Sequence, residues 1–265
     1  MNNTFNIKRF GWLFKKTLFE RPAQLLGLIV LILLIDLLLY AICTNIKMVW
    51  EAVQNFTFIF GLVGGGSFLA AIVFNYFPSN ATGSSYLTLP ASSFEKWLCT
   101  VLISCVMYAI IFLVFYRVID TAFVTLFHKS LDPTRPFYKE TYESVQVFAF
   151  DGFVAGKSYM MYVNFTTAML VGALYFNKAA FIKVALIVCS LFIGGFFLNN
   201  IMAKALIANV DKGLPYYAVF ITVGKEFGKV VLPSYASKAV DICILYIIPA
   251  ILLTTAYIRL REKEF

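Results

Sequence analysis

Runs of apolar residues, each close to the length that crosses a hydrocarbon layer of about 30 Å, decide what this chain can become. The cleanest run is Gln24 to Cys43, with fourteen Leu, Ile and Val residues. At about −0.3 to −0.6 kcal/mol each, they favour insertion by about −4 to −8 kcal/mol. The single charge in the run, Asp36, costs about 2.5 to 3.5 kcal/mol at a helix centre, so the segment still inserts. Across 265 residues, 61% are hydrophobic and 14% charged. A soluble domain of this length has too little interior for so much apolar surface. The expectation is an all-α membrane protein.

Along the chain, residues 5–20 read as an amphipathic helix. Phe10, Leu13, Phe14 and Leu18 share one face, and Lys8, Arg9, Lys15 and Lys16 the other. That pattern suits a helix lying in the headgroup layer. Arg21-Pro22 ends it, because proline disfavours helical geometry in the residue before it. About six transmembrane helices follow, near 24–43, 57–77, 97–116, 161–176, 183–203 and 239–258. The third is helix-compatible beyond its span, through Arg117 to Phe127. Two long exterior loops, 128–160 and 204–238, separate the later spans. The first contains the strand-like run Ser144 to Phe150. The second contains the apolar run Ala218 to Val223 and reads as a broken element dipping into the bilayer.

Charge sets the orientation. With the N-terminus inside, the inner segments hold eleven basic and four acidic residues, and the much longer outer loops hold eleven basic and eight acidic. Basic residues in short loops near span ends stay cytoplasmic, so both termini are expected in the cytoplasm. The net charge of +8 has this topological explanation. No solvated cluster of Lys and Arg suggests nucleic acid as a partner. The N-terminal stretch does not read as a signal peptide, since its basic part is long and no small-residue cleavage motif follows.

Several residues are candidates for a site. Asp36, Arg117, Asp120 and Asp241 lie in or near the membrane, where ionisable groups are functional candidates by default. Arg117 and Asp120 are spaced to pair on one helix face. Asp36 reads either as a packing hydrogen bond or as part of a transport path. Gly61 and Gly65 form a GxxxG pair, and Gly194-Gly195 is a second small-residue patch; both suit close helix packing or a dimer surface. A kink is expected near Pro249. Cys43, Cys99, Cys105, Cys189 and Cys243 lie in or beside apolar runs without a CxxC, and His128 is the only histidine. Neither a disulfide framework nor a metal site is suggested. The run Gly152 to Ser158 is not a P-loop, having three residues between its glycines where four are needed. With no histidine in any span, an intramembrane serine–histidine pair is ruled out, and the chain is not expected to be an enzyme by itself.

The segment Pro78 to Trp97 is the most informative short stretch. Ser92-x-x-Glu95 fits a capping box that opens the third span. Phe94, Lys96 and Trp97 suit the interface, with the lysine snorkelling outward. Leu89-Pro90-Ala91-Ser92-Ser93-Phe94-Glu95-Lys96 resembles the stretch between the second and third spans of ABC-2 type exporter permeases, also called type V ABC exporters. Gly172 to Phe176 leading to Phe181-Ile182-Lys183, and the tail Tyr257 to Lys263, are similar to permease-like proteins of that group from Bacteroidota. The resemblance implies a permease subunit in a bacterial inner membrane, working as a homodimer or with a related permease. It implies a separate cytosolic ATPase subunit that binds ATP and Mg, contacted through Ser79, Asn80, Tyr86, Leu89, Pro90, Phe94 and Glu95. The long segment between spans three and four departs from the family pattern. An ion-coupled secondary transporter using Asp36, Arg117 and Asp120, or a non-transporting membrane scaffold or sensor, are the alternative readings.

Overall fold

A computed structural model of the chain describes residues 5–20, 22–46, 49–73, 91–134, 137–176, 179–206, 210–214, 218–223, 226–231 and 233–263. Helix α1 spans Ile7–Glu20 and α2 spans Pro22–Asn45, with proline at the first helical position, where its missing N–H is harmless. Helix α3 runs over Trp50–Val73, α4 over Ser93–Ser130, a short α5 over Tyr138–Ser144, and α6 over Phe153–Tyr175. Helix α7 covers Ala180–Leu206 and α8 covers Ser234–Glu262. Five of these, α2, α3, α4, α7 and α8, are long and apolar enough to cross a membrane. The chain is a multi-pass membrane protein. Backbone groups in hydrocarbon must be bonded within their own segment, which is why the apolar runs are helical.

The expected fourth span is helix α6. It is longer than predicted, starting at Phe153 instead of 161, and its 23 residues reach about 34 Å. It is also less apolar, carrying Lys157, Asn164, Thr166 and Thr167. Its position explains this: α6 packs against α3, α7 and α8, and so faces protein on several sides. Helix α3 likewise starts earlier than predicted, at Trp50, because Glu51 and Gln54 dilute the apolar signal of its first turns. Helix α4 continues to Ser130, so its 38 residues extend about 57 Å, well beyond a bilayer core.

The two loops correct the expectation. Residues 145–149 have no regular secondary structure and pair with no strand among the described residues. The second loop holds a three-stranded antiparallel sheet, β1 (Val210–Leu214), β2 (Ala218–Val223) and β3 (Glu226–Val231), in place of a re-entrant element. Val219, Phe220, Ile221 and Thr222 of the central strand are β-branched or aromatic, and such residues suit a pleated surface. The P-loop-like run is helical: Gly152 is the N-cap of α6 and 153–158 form its first turns.

Among the described residues three helices widen to π-helical turns, at Phe60–Gly65 in α3, Leu102–Met107 in α4 and Cys243–Ile247 in α8. A π-turn disturbs the regular ladder and opens carbonyls to lateral donors. A neighbouring helix supplies a donor to each. Tyr108 Oη donates to the Gly61 carbonyl at 2.5 Å. Tyr162 Oη donates to the carbonyls of Ser104 and Cys105 at 2.7 and 3.0 Å. Asn164 Nδ2 donates to the Ile244 carbonyl at 2.8 Å. The third turn immediately precedes Pro249, whose missing N–H would break an α-helical ladder there.

Glycines set the close contacts. A Cβ at Gly61 would lie 2.3 Å from the Phe112 ring, one at Gly65 2.1 Å from Tyr108 Oη, and one at Gly172 1.8 Å from Val184 Cγ2. Gly61 and Gly65 therefore pack within the chain, whereas Gly194 and Gly195 face open space. Gly65→Ala and Gly172→Ala are expected to destabilise by about 1–3 kcal/mol through overpacking. Gly194→Ala is expected to be neutral or to gain up to about 1 kcal/mol of helix propensity. Thermal midpoints in detergent, followed by size-exclusion recovery, check the contrast.

Candidate functional site

The bundle has two polar ends and one buried charge site between them. At the first end, α1, the start of α4 and the last turns of α8 converge. The capping box is formed: Glu95 N donates to Ser92 Oγ (3.3 Å), and Ser92 N donates to Glu95 Oε2 (2.9 Å). The same carboxylate also accepts from Asn6 N (2.8 Å), from Arg9 Nε (3.1 Å to Oε2) and from Arg9 Nη2 (2.8 Å to Oε1). The Glu95 side chain is 0% exposed and that of Arg9 30%. The carboxylate raises the Arg9 guanidinium above its ordinary value, chiefly through their hydrogen bonds, so the pair stays ionised. Phe94 touches Phe5, Trp97 and Tyr257, and Trp97 Nε1 donates to the Leu253 carbonyl at 3.1 Å. Helices α1 and α8 thus both meet the start of α4 at this end of the bundle.

This arrangement revises parts of the sequence reading. Leu13 is buried, and Phe10, Phe14 and Leu18 pack on the core, so the predicted lipid-facing side of α1 covers protein. Lys96 is buried and does not snorkel outward. Glu95 is consumed within the chain and is unavailable for direct contact, while Phe94 is partly exposed. Ser79, Asn80, Tyr86, Leu89 and Pro90 lie outside the described residues.

At the opposite end, Asp120 is fully buried and accepts three hydrogen bonds. Tyr40 Oη and Gln54 Nε2 each donate to Oδ1 at 2.7 Å, and Phe148 N donates to Oδ2 at 2.7 Å. Arg117 does not pair with Asp120. Its Nη1 donates to the Phe148 carbonyl at 3.0 Å and its guanidinium stacks 4.0 Å over the Phe150 ring. Gln54 Nε2 also donates to the Gln146 carbonyl, and His128 Nε2 lies 2.9 Å from the Val145 carbonyl. The backbone of 145–148 is therefore bonded by side chains of α3 and α4, which lets it hold its place without a strand partner. Phe148 and Phe150 close over Phe58 and Tyr116 in an aromatic cluster.

Asp241 pairs with Lys157 at 2.9 Å across α8 and α6, at a half-exposed position. Asp36, at the middle of α2, is 1% exposed, and its Oδ1 has no hydrogen-bond partner among the described residues. Among the described residues no three His, Cys, Asp or Glu side chains gather as metal ligands. Sequence reasoning missed Arg9, Tyr40, Gln54, Tyr108, Tyr162 and Asn164. The available signal was the presence of amide and phenol groups inside or beside spans, where polar side chains hydrogen-bond across helices. Comparison with protein-family models, with curated proteins and with solved structures finds no match.

Two substitutions test these ends. Glu95→Ala is expected to free α1, so that limited trypsin cuts after Lys8, Arg9, Lys15 or Lys16 several-fold faster than in the parent chain. Asp120→Asn keeps one acceptor oxygen for Tyr40 and Gln54 and turns an NH2 toward the Phe148 N–H. A loss of about 2 kcal/mol is expected, read as a lower thermal midpoint.

Proposed function

We propose that this chain is the membrane-embedded permease subunit of an ATP-driven exporter of the ABC-2 type, in a bacterial inner membrane with both termini cytoplasmic. Six crossings are counted with α6 as the fourth. The observation that carries the reading is the junction around Glu95. A single buried carboxylate ties the N-terminal helix, the cap of α4 and, through Phe94 and Trp97, the end of α8 into one unit. The segment expected to meet an ATPase, Ser79 to Glu95, ends in this unit. A push applied there moves three helices together instead of fraying one, which is how rigid-body motion passes between subunits.

In this mechanism the ATPase subunit binds ATP and Mg and supplies the energy. Phe94 and the residues before it form the contact, while Glu95 is a positioning residue that keeps the contact rigid. Two copies of the chain, or this chain with a related one, pair with two ATPases. At the far end, the strap 145–150 held by Asp120, Arg117 and Gln54 closes the outer mouth at rest. Affinity purification from mild detergent is expected to retrieve an ATPase. Replacing residues 79–90 with a Gly/Ser linker is expected to release it while the permease still elutes as a folded species. Retention of the ATPase by that folded variant would exclude the coupling assignment. An ion-coupled carrier is the second reading, favoured by the unpartnered Asp36; transport that persists without ATP and collapses with the proton gradient would select it.

A further inference from the structure

Two buried aspartates sit in this bundle under opposite conditions. Asp120 has three donors. Asp36 has none among the described residues, although it is 1% exposed and its Oδ1 is sealed from solvent. Burying an ionised carboxylate without a partner costs far more than burying a neutral hydroxyl, which costs about 2–7 kcal/mol at most without a hydrogen bond.

The surroundings offer no relief. On α3 the facing residue is Gly61, where a Cβ would stand 2.8 Å from Asp36 Oδ1. The only ionisable residue of α3 is Glu51, near its far end. On α4 the facing titratable groups are Tyr108 and Tyr116, both close enough to feel a charge on Asp36. Their hydroxyl protons are already committed, to the Gly61 and Gln54 carbonyls. On α2 itself, Tyr40 gives its proton to Asp120. Among the described residues no Lys, Arg or His forms an ion pair with Asp36.

We propose that Asp36 is a proton-binding site inside the bundle, loaded in this conformation and emptied only when α2 separates from α3. The seam that must part is the one lined by Gly61 and Gly65, where Asp36 and Ile32 of α2 approach glycine backbone directly. Once parted, water reaches the carboxyl, the proton leaves to solvent, and the charged form resists reclosure. Proton binding is thereby linked to the closed arrangement, and rising pH favours the open one. The ligand is a proton and not a metal ion, since no second and third acidic, His or Cys side chain joins Asp36 among the described residues. The inference stands apart from the exporter reading, because it is measured on this chain alone.

Infrared spectroscopy of the full chain in lipid nanodiscs tests it. An aspartate in water has a pKa of about 3.9, so at pH 7 about one carboxyl in a thousand is protonated. The expected result at pH 7 is the carbonyl stretch of one protonated carboxylic acid, shifted by ¹³C-aspartate labelling and lost in Asp36→Asn. Should that variant fail to fold, Asp36→Leu, which keeps the span apolar, provides the same subtraction. Absence of the band at pH 7, or its survival when Asp36 is replaced, overturns the proposal.

Discussion

Inside hydrocarbon there is no water to satisfy a polar group, and every other feature of this protein follows from how its polar groups find partners within the chain. Hydroxyls turn back onto their own helices: Thr57 donates to the Val53 carbonyl, Thr100 to Lys96, Ser104 to Thr100 and Thr167 to Val163. The three π-turns would leave carbonyls poorly bonded, and Tyr108, Tyr162 and Asn164 reach across to them. These bonds also fix which helices are neighbours. Tyr108 joins α4 to α3, Tyr162 joins α6 to α4, and Asn164 joins α6 to α8. Apolar packing alone is a weak guide to helix partners in lipid, because a lipid tail is as apolar as a leucine. Polar capping supplies the selectivity.

The same economy separates the molecule into regions with different tasks. One end is a rigid junction in which Glu95 accepts from Asn6, Arg9 and Ser92. The other is a peptide strap whose backbone is bonded by Gln54, Arg117 and Asp120. Between them, α2 meets α3 along a glycine seam where Asp36 Oδ1 has no hydrogen-bond partner among the described residues. Helix α7 lies at the margin: of its side chains only Val184 and Ala203 are buried, and its Gly194-Gly195 patch faces open space.

Much of the helical layout was legible from the chain. The runs that became α2, α7 and α8 are predominantly apolar, and insertion energetics depends on composition more than on neighbours. The capping box at Ser92 and Glu95 was equally legible, because its two residues are three apart and its bonds are local. Helix α6 was harder, since its polar residues lower the apolar signal and only its protein neighbours explain them. The sheet at 210–231 was misread as a re-entrant element, because the apolar run 218–223 fits both, and pairing with strands on either side decides.

The site residues divide along the same line. That Asp36, Arg117 and Asp120 are candidates follows from charge in an apolar context, which a sequence displays directly. Which of them is paired does not. Arg117 and Asp120 are one turn apart and were expected to join. Yet Asp120 bonds to residues 28, 66 and 80 positions away and Arg117 to one 31 away. The amino-acid sequence by itself determined that this polypeptide inserts in a membrane as a set of helices, because transfer free energy is a sum over residues. Only the tertiary structure decided which buried charge is compensated and which is left alone, because a hydrogen bond depends on distance and direction between groups that the chain brings together from far apart.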